Sequence, residues 1–335
     1  MLTIEELESA FDASQKVELP KHSVEGPDLM LQRRYDPFGF PLEVRTNCED
    51  VLTQYDELWG KFKRQQDTVP IQVDVQVVEG SSSECPPEPS YRLMGPLMIA
   101  AADADNYSVM DLEHSFAKIT VSQAALRHRL YAQYFLLGTP VCCVATRYAT
   151  PVHAGCVTLD GTGILLCGDS GAGKSTLSYA CARAGWTYVT DDASFLLHGR
   201  DGLLVTGDCH KVRFRPTAAE IFPELEGLEI TPRAAGKPSI ELPTAPMLNI
   251  ARAQTTRVEH IVFLNRRHEG PAELVPYDRD VARLFMQQTL FGPKAWRGEQ
   301  HRAIEELLHA GVFELRYSSL DWAIERLRTL VQEGR

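Results

Sequence analysis

The octapeptide Gly168-Asp169-Ser170-Gly171-Ala172-Gly173-Lys174-Ser175 limits what this chain can fold into more than any other stretch. Gly168 and Gly173 have four residues between them and are followed by a Lys-Ser pair, the spacing of a loop whose backbone N–H groups turn inward on an anion. Bulkier residues obstruct that turn because they disfavour positive φ. Lys174 supplies a point charge for the outer phosphates of a nucleoside triphosphate, and the Ser175 hydroxyl has the reach of a Mg²⁺ ligand. The flanks agree with this reading. Residues 163–167 form a short apolar run that reads as a buried strand. Leu177, Ala180, Cys181 and Ala184 then recur at helical spacing, and Gly185 stands where a C-terminal cap is expected. The run from Gly168 through Ser175 and Thr176 is therefore the candidate ATP-binding stretch.

Bulk properties narrow the remaining options. The net charge is −11 and there is no long basic run, so binding nucleic acid by counterion release is not expected. The eight cysteines show neither paired CxxC units nor a His partner at zinc-finger spacing. Several lie in apolar patterns, as buried free thiols do, which points to a reducing cytoplasm. The acidic N-terminus lacks the basic and apolar regions of a secretory signal, and no apolar run approaches a membrane span.

Along the chain, residues 4–11 form a short amphipathic segment, followed by breakers at Pro20, Gly26 and Pro27. Residues 38–45 alternate like a strand, and Asn47 is placed to cap a helix running through Val51, Tyr55, Leu58 and Trp59. Residues 71–78 alternate again, residues 80–89 read as a loop, and strands are expected over 91–101 and 116–121. The pattern over 1–121 is that of a smaller α+β region, serving substrate selection or oligomer contacts. From Ser122 a helical face of Ala125, Leu126, Leu130, Tyr134 and Leu137 ends at Gly138 and Pro140, and residues 141–145 read as a buried strand.

The Asp160-Gly161 dipeptide between two apolar runs is a strong hairpin signal. It brings an antiparallel neighbour to the strand that feeds the glycine loop, which predicts a mixed sheet. After the loop helix, residues 186–190 form a strand ending at Asp191-Asp192. A second hairpin follows over 194–197 and 203–206, then strands near 211–215, after 236–238, at 260–264 and at 312–316. Helices are expected near 281–290, 299–308 and 320–331. In a βαβ unit the strand end at Asp191-Asp192 lies on the same side of the sheet as the loop. Adjacent strand residues face opposite ways, so both carboxylates reach the site only if the strand breaks there.

The run Val152-His153-Ala154-Gly155, the octapeptide with its feeding strand, Gly185 and Asp191-Asp192 together resemble the catalytic core of the HPr kinase/phosphorylase family. The match covers about residues 141–200, in order and in spacing. The resemblance implies an α/β fold: a mixed-sheet P-loop kinase core of the phosphoenolpyruvate-carboxykinase/HPr-kinase type over 122–335. It implies Asp192 as the base that takes the proton from the acceptor hydroxyl, Lys174 as phosphate ligand, and Ser175 with Asp191 on Mg²⁺. His153 matches the family's histidine before the hairpin, where an imidazole can bond phosphate or the acidic pair.

Two departures stand out. Thr176 occupies the place of a family Glu, and the second Gly-rich signature with its metal-binding Glu is missing; Glu220 is the nearest acid but is wrongly spaced. The pattern is thus closer to the broader HPr-kinase-like group, which includes peptide- and small-molecule-directed kinases. Arg213, Arg215 and Lys237 are candidates for binding transferred phosphate or an acidic acceptor. The implied activity is an ATP- and Mg²⁺-dependent transfer to a hydroxyl, serine of a protein or peptide first. A small-molecule acceptor, or an ATP-binding regulator without an acceptor, stay open.

Overall fold

Asp160 and Gly161 both take positive φ, 51° and 87°, the requirement of a two-residue hairpin turn matched to strand twist. They join Ala154–Leu159 to Thr162–Cys167 in antiparallel register. The computed structural model describes residues 28–199, 204–267, 269–290, 292 and 294–333. The amphipathic segment expected over 4–11 and the breakers after it lie outside the described residues.

The strand Thr162–Cys167 is buried on both faces, which explains its unbroken apolar sequence. Its other edge pairs in parallel with Thr255–Arg266, a strand of 12 residues. The first residues of that long strand also pair with Leu204–Gly207, while its far half runs parallel to Gly311–Tyr317. The resulting nine-stranded sheet mixes parallel and antiparallel pairs, as the Asp-Gly hairpin requires.

Period-two alternation along Thr162–Cys167 divides the packing around it. Ile164 and Leu166 join Trp186, Tyr188 and Leu327 in one core, beneath the helices Lys174–Arg183 and Leu320–Glu333. Leu165 and Cys167 join Ile261, Met286 and Leu307 in a second, under Arg279–Gln287 and Lys294–Leu307. Helices therefore cover both faces of the strand that feeds the glycine loop, and fix its end.

The N-terminal region builds a separate seven-stranded sheet, with Ile71–Val78 and Phe116–Ser122 paired in parallel at its centre. Every odd residue of Ile71–Val78 is buried. The helix Glu49–Trp59 packs on this sheet, but Asn47 does not cap it. Its amide instead donates to Val77 O at 2.9 Å and accepts from Val77 N at 2.8 Å. An amide side chain carries both a donor and an acceptor, so it continues a strand-like pairing that a cap would leave unused.

Two further expectations give way to tertiary context, and one strand is added. The segment read as one strand over 91–101 is a hairpin of Ser90–Met94 and Leu97–Ala101, turned at Gly95 with φ 58°. Tyr107–Asp111 adds a strand whose five residues are too few to announce it. Residues 141–145 belong to a helix, Thr139–Ala145, not to a strand. Pro140 sits in that helix's first turn, where a missing N–H costs nothing, and Gly138 keeps right-handed φ and lets the helical chain continue. A short apolar run has no period that separates a strand from a buried helical turn.

The preceding helical face is also interrupted. His128 leaves helical geometry and Ala132–Gly138 widens to a π-helix, so Leu130 and Tyr134 turn out to solvent. The whole helical stretch 123–145 packs on the N-terminal sheet and shares its core. All eight cysteines are free thiols. Among the described residues, no helix is long and apolar enough to cross a membrane.

Candidate active site

The loop between Thr162–Cys167 and the helix Lys174–Arg183 is shaped by its glycines. Gly168 has φ 145°, and a Cβ there would lie 2.7 Å from the Ala172 Cβ. Gly173 has φ 100° directly before the first helical residue. Any side chain at either position strains the backbone, and at Gly168 it also collides. At the far end of the helix, Gly185 with φ 90° completes a Schellman motif: Trp186 N donates to Cys181 O and Gly185 N to Ala182 O. A well-stopped helix thus presents free N–H groups at its start, where an anion is favoured.

Lys174 opens this helix yet is only 5% exposed. Its Nζ donates to Gly168 O at 2.7 Å and lies 2.9 Å from His153 Nε2, with Asp169 O at 3.4 Å. Burial lowers its pKa, opposed first by the Asp192 charge. An ammonium has donors only, so His153 Nε2 accepts and the imidazole proton sits on Nδ1. That Nδ1 is 3.4 Å from Asp192 Oδ1. Lys174, His153 and Asp192 therefore form a line from the glycine loop to a carboxylate that is half open to solvent.

Asp191 and Asp192 follow the strand Thr187–Thr190, which runs in the same direction as the loop strand with Ala154–Leu159 between them. The strand ends at Thr190, so the two carboxylates are freed from strict alternation and both line one cavity. Their surroundings differ. Asp191 is 6% exposed; it accepts from Tyr188 Oη at 3.1 Å and from Arg213 N at 3.1 Å. Burial pushes its pKa up to about 6, against the lowering pull of the Arg213 backbone and charge.

A raised carboxyl pKa has a definite sign in stability. Between about pH 4 and 6 the native protein holds a proton at Asp191 that the unfolded chain has released, so this group's contribution falls as pH rises through that window. The shift corresponds to about 3 kcal/mol. Denaturant unfolding without divalent cations is expected to show the Asp191→Asn protein gaining stability relative to wild type from pH 4 to 7. A difference that stays flat across that range contradicts the raised pKa.

The cavity has a volume of about 570 Å³ and a strongly basic wall. Ser170, Gly171, Gly173, Ser175 and Thr176 line its loop side, whereas Gly168, Asp169 and Ala172 serve the loop's own geometry. Arg215 donates to Ser170 Oγ at 2.7 Å and so lies over the loop. Arg213 lines the cavity but its guanidinium bonds Glu241 at 2.6 Å across the paired strands Lys211–Phe214 and Ile240–Pro243. Lys237 lies on the exposed rim. Glu220 ends the short 3-10 turn Pro216–Glu220 and does not line the cavity.

Tyr134, Arg233 and Arg266 also line this space, and sequence reading missed all three. Arg266 ends the long central strand, a position that the strand's carboxyl end could have flagged. Tyr134 and Arg233 carry no local signal, since only chain folding over tens of residues brings them to the loop. His210, next to Cys209, packs edge-on against Phe62 with ring centroids 4.7 Å apart. Among the described residues, no group of three or more His, Cys, Asp or Glu is placed to hold a metal ion.

The donors around the loop nevertheless fit a magnesium nucleotide. Mg²⁺ takes one or two carboxylates together with phosphate and water oxygens, and Ser175, Asp191 and Asp192 are hard oxygen donors in one cavity. Gly171 and Gly173 of the loop line the same cavity at the start of the helix Lys174–Arg183, where an anion is favoured.

No family model matches the chain, and no curated protein sequence matches it. Among solved structures, the chain is similar to the Hpr(Ser) kinase/phosphatase from Coxiella burnetii, with 16% sequence identity and a TM-score of 0.31, over 56% of this chain and 96% of that one.

Proposed function

We propose that this chain is an ATP- and Mg²⁺-dependent kinase that transfers the γ-phosphoryl group to a hydroxyl, that of serine in a protein or peptide. The observation that carries this reading is the line from Lys174 Nζ through His153 to Asp192, 2.9 and 3.4 Å apart, beside a glycine loop of P-loop form. A site that only holds nucleotide needs a phosphate ligand and a metal-contacting acid. A second, half-exposed carboxylate oriented by a histidine supplies what phosphoryl transfer needs in addition.

In this mechanism the loop N–H groups and Lys174 bind the outer phosphates, and Arg215, anchored on Ser170, neutralises charge that develops on them. Ser175 and Asp191 would hold Mg²⁺, which when bound would neutralise charge on the phosphates. Asp192 accepts the proton of the acceptor hydroxyl as its oxygen attacks the γ-phosphorus and the bond to the bridging oxygen of ADP breaks. His153 acts through Asp192: its Nδ1 stands 3.4 Å from the carboxylate, and its Nε2 ties that position to Lys174. The N-terminal region, with Tyr134 on the helical stretch packed against it, selects the acceptor.

Incubating the protein with Mg²⁺, γ-labelled ATP and host extract, then identifying labelled products by mass spectrometry, tests the assignment. The expected product is a phosphoserine in a protein or peptide. Nucleotide binding with slow hydrolysis and no labelled acceptor would instead mark a regulatory ATP-binding protein, and a labelled metabolite would move the acceptor to a small molecule.

A further inference from the structure

Three of the six lysines and arginines lining the cavity have partners among the described residues. Lys174 donates to Gly168 O and meets His153, Arg215 donates to Ser170, and Arg213 donates to Glu241. Lys237 and Arg266 are exposed, so water solvates them. Arg233 is different: it is partly buried, lines the cavity, and makes no ion pair or hydrogen bond among the described residues.

Its placement is not accidental slack in a loop. The segment that carries it is closed at its base by two backbone bonds, Thr231 N to Ser239 O at 2.9 Å and Ser239 N to Thr231 O at 3.1 Å. The charges it feels most are Arg213, which repels it, and Glu241 and Asp192, which attract it. Glu241 is already held by Lys211 at 3.1 Å and by Arg213 at 2.6 Å. A guanidinium that has lost part of its hydration without gaining an anion costs free energy, and burial with the Arg213 charge accordingly lowers its pKa. No carboxylate among the described residues pairs with the Arg233 guanidinium, although Asp191 and Asp192 line the same cavity.

We propose that Arg233 is a recognition residue for an acceptor that carries a carboxylate or phosphate beside the hydroxyl to be phosphorylated. This rests on the kinase reading above. The planar guanidinium pairs with either group through two parallel hydrogen bonds, and it offsets the repulsion that Asp192 would exert on an anionic acceptor. A neutral acceptor leaves Arg233 unpaired, so the site discriminates by what such a molecule fails to satisfy. The anion has two sources, a free hydroxy acid or an acidic peptide, and a direct comparison separates them.

Calorimetric binding to the full chain, with and without saturating Mg·AMPPCP, provides the test. The probes are L-malate with glycerol as its neutral control, and the peptide Ala-Asp-Ser-Asp-Ala with Ala-Asn-Ser-Asn-Ala. One acidic probe is expected to bind where its neutral counterpart does not, and to bind about tenfold or more weakly to Arg233→Gln. Arg233→Lys, which keeps charge but loses the fork, should fall between. Binding of malate alone assigns a free acid, and binding of the acidic peptide alone assigns a peptide acceptor.

Two results overturn the proposal: no acidic probe outcompetes its neutral partner, or Arg233→Gln binds the acidic probe as wild type does. Loss of AMPPCP affinity in Arg233→Gln, with acidic-probe binding unchanged, makes Arg233 a nucleotide ligand and overturns it as well. The kinase reading fails separately, if wild type does not bind AMPPCP; the arm without nucleotide then still decides Arg233. An unfolding temperature of Arg233→Gln at or above that of wild type shows an intact fold, and Arg233→Lys carries the comparison if it is lower.

Discussion

Asp192→Asn is expected to reduce phosphoryl transfer by about 10²- to 10⁴-fold while leaving Mg·AMPPCP affinity within about twofold. The amide keeps the size of the carboxylate and its place beside His153, 3.4 Å from Nδ1. It cannot accept the proton that the acceptor hydroxyl gives up. Because Asp192 is half exposed, its replacement leaves no buried charge stranded, and the fold should be unaffected. The measurement is single-turnover transfer from γ-labelled ATP, with unfolding temperature and AMPPCP titration as controls. Transfer at the wild-type rate would remove Asp192 as base.

His153 offers a check within the same prediction. As a positioning residue it should lower transfer less than Asp192 does, and its loss should broaden or shift the pH profile of transfer, since the carboxylate then lacks its oriented partner. A residue that served packing alone would lower stability and leave that profile in place.

Lys174→Met is expected to weaken Mg·AMPPCP binding by about 10- to 100-fold, from the loss of charge-assisted bonds to phosphate, and to lower transfer by about 10²- to 10³-fold beyond that. Methionine fills much of the space of the lysine stem, so the change removes charge more than volume. The same substitution should not destabilise the protein much. Lys174 is 5% exposed and its pKa is lowered by burial, which means that the charge is held in place at some cost to the fold. Weak or absent change in nucleotide affinity, with a large drop in unfolding temperature, would make Lys174 a structural ligand of Gly168 O rather than a phosphate ligand. Titration of AMPPCP beside thermal unfolding separates the two outcomes.

The two predictions differ in which side of the site they touch. Lys174 belongs to the loop, where the residues that matter lie within a few positions of one another. Asp192 belongs to a strand end two strands away in the sheet, reached through His153 on the chain segment before the hairpin. Loss of the first should appear in both nucleotide binding and transfer, and loss of the second in the transfer step alone, so the kinetics assign the two roles.

Sequence reading located the elements whose signals are local. Asp160-Gly161 announces a hairpin because only certain residues accept two successive positive φ values, and Asp160 and Gly161 take them. The strand into the loop, the helix out of it and the stop at Gly185 follow from apolar spacing and from one glycine. The register of Ile71–Val78 is written in its alternation. Where the signal was short or shared between states, the reading failed. Residues 141–145 are apolar enough for a strand, but the preceding helix and Pro140 in its first turn make them helical. Asn47 has a capping side chain, but Val77 presents a donor and an acceptor that use both ends of its amide.

By itself, the sequence determined the glycine loop, the mixed character of the sheet and the strand that delivers Asp191 and Asp192, because each depends on residues no more than a few positions apart. Only the tertiary structure decided how the two carboxylates divide. Asp191 is buried against Tyr188 and the Arg213 backbone, with a pKa raised to about 6, while Asp192 stays half open beside His153. It also decided that Arg213 is held by Glu241 and that Arg233 faces the cavity without a partner among the described residues. The reason is physical: burial, desolvation and charge pairing are set by groups tens of residues away in the chain, and no local pattern encodes which of them will meet.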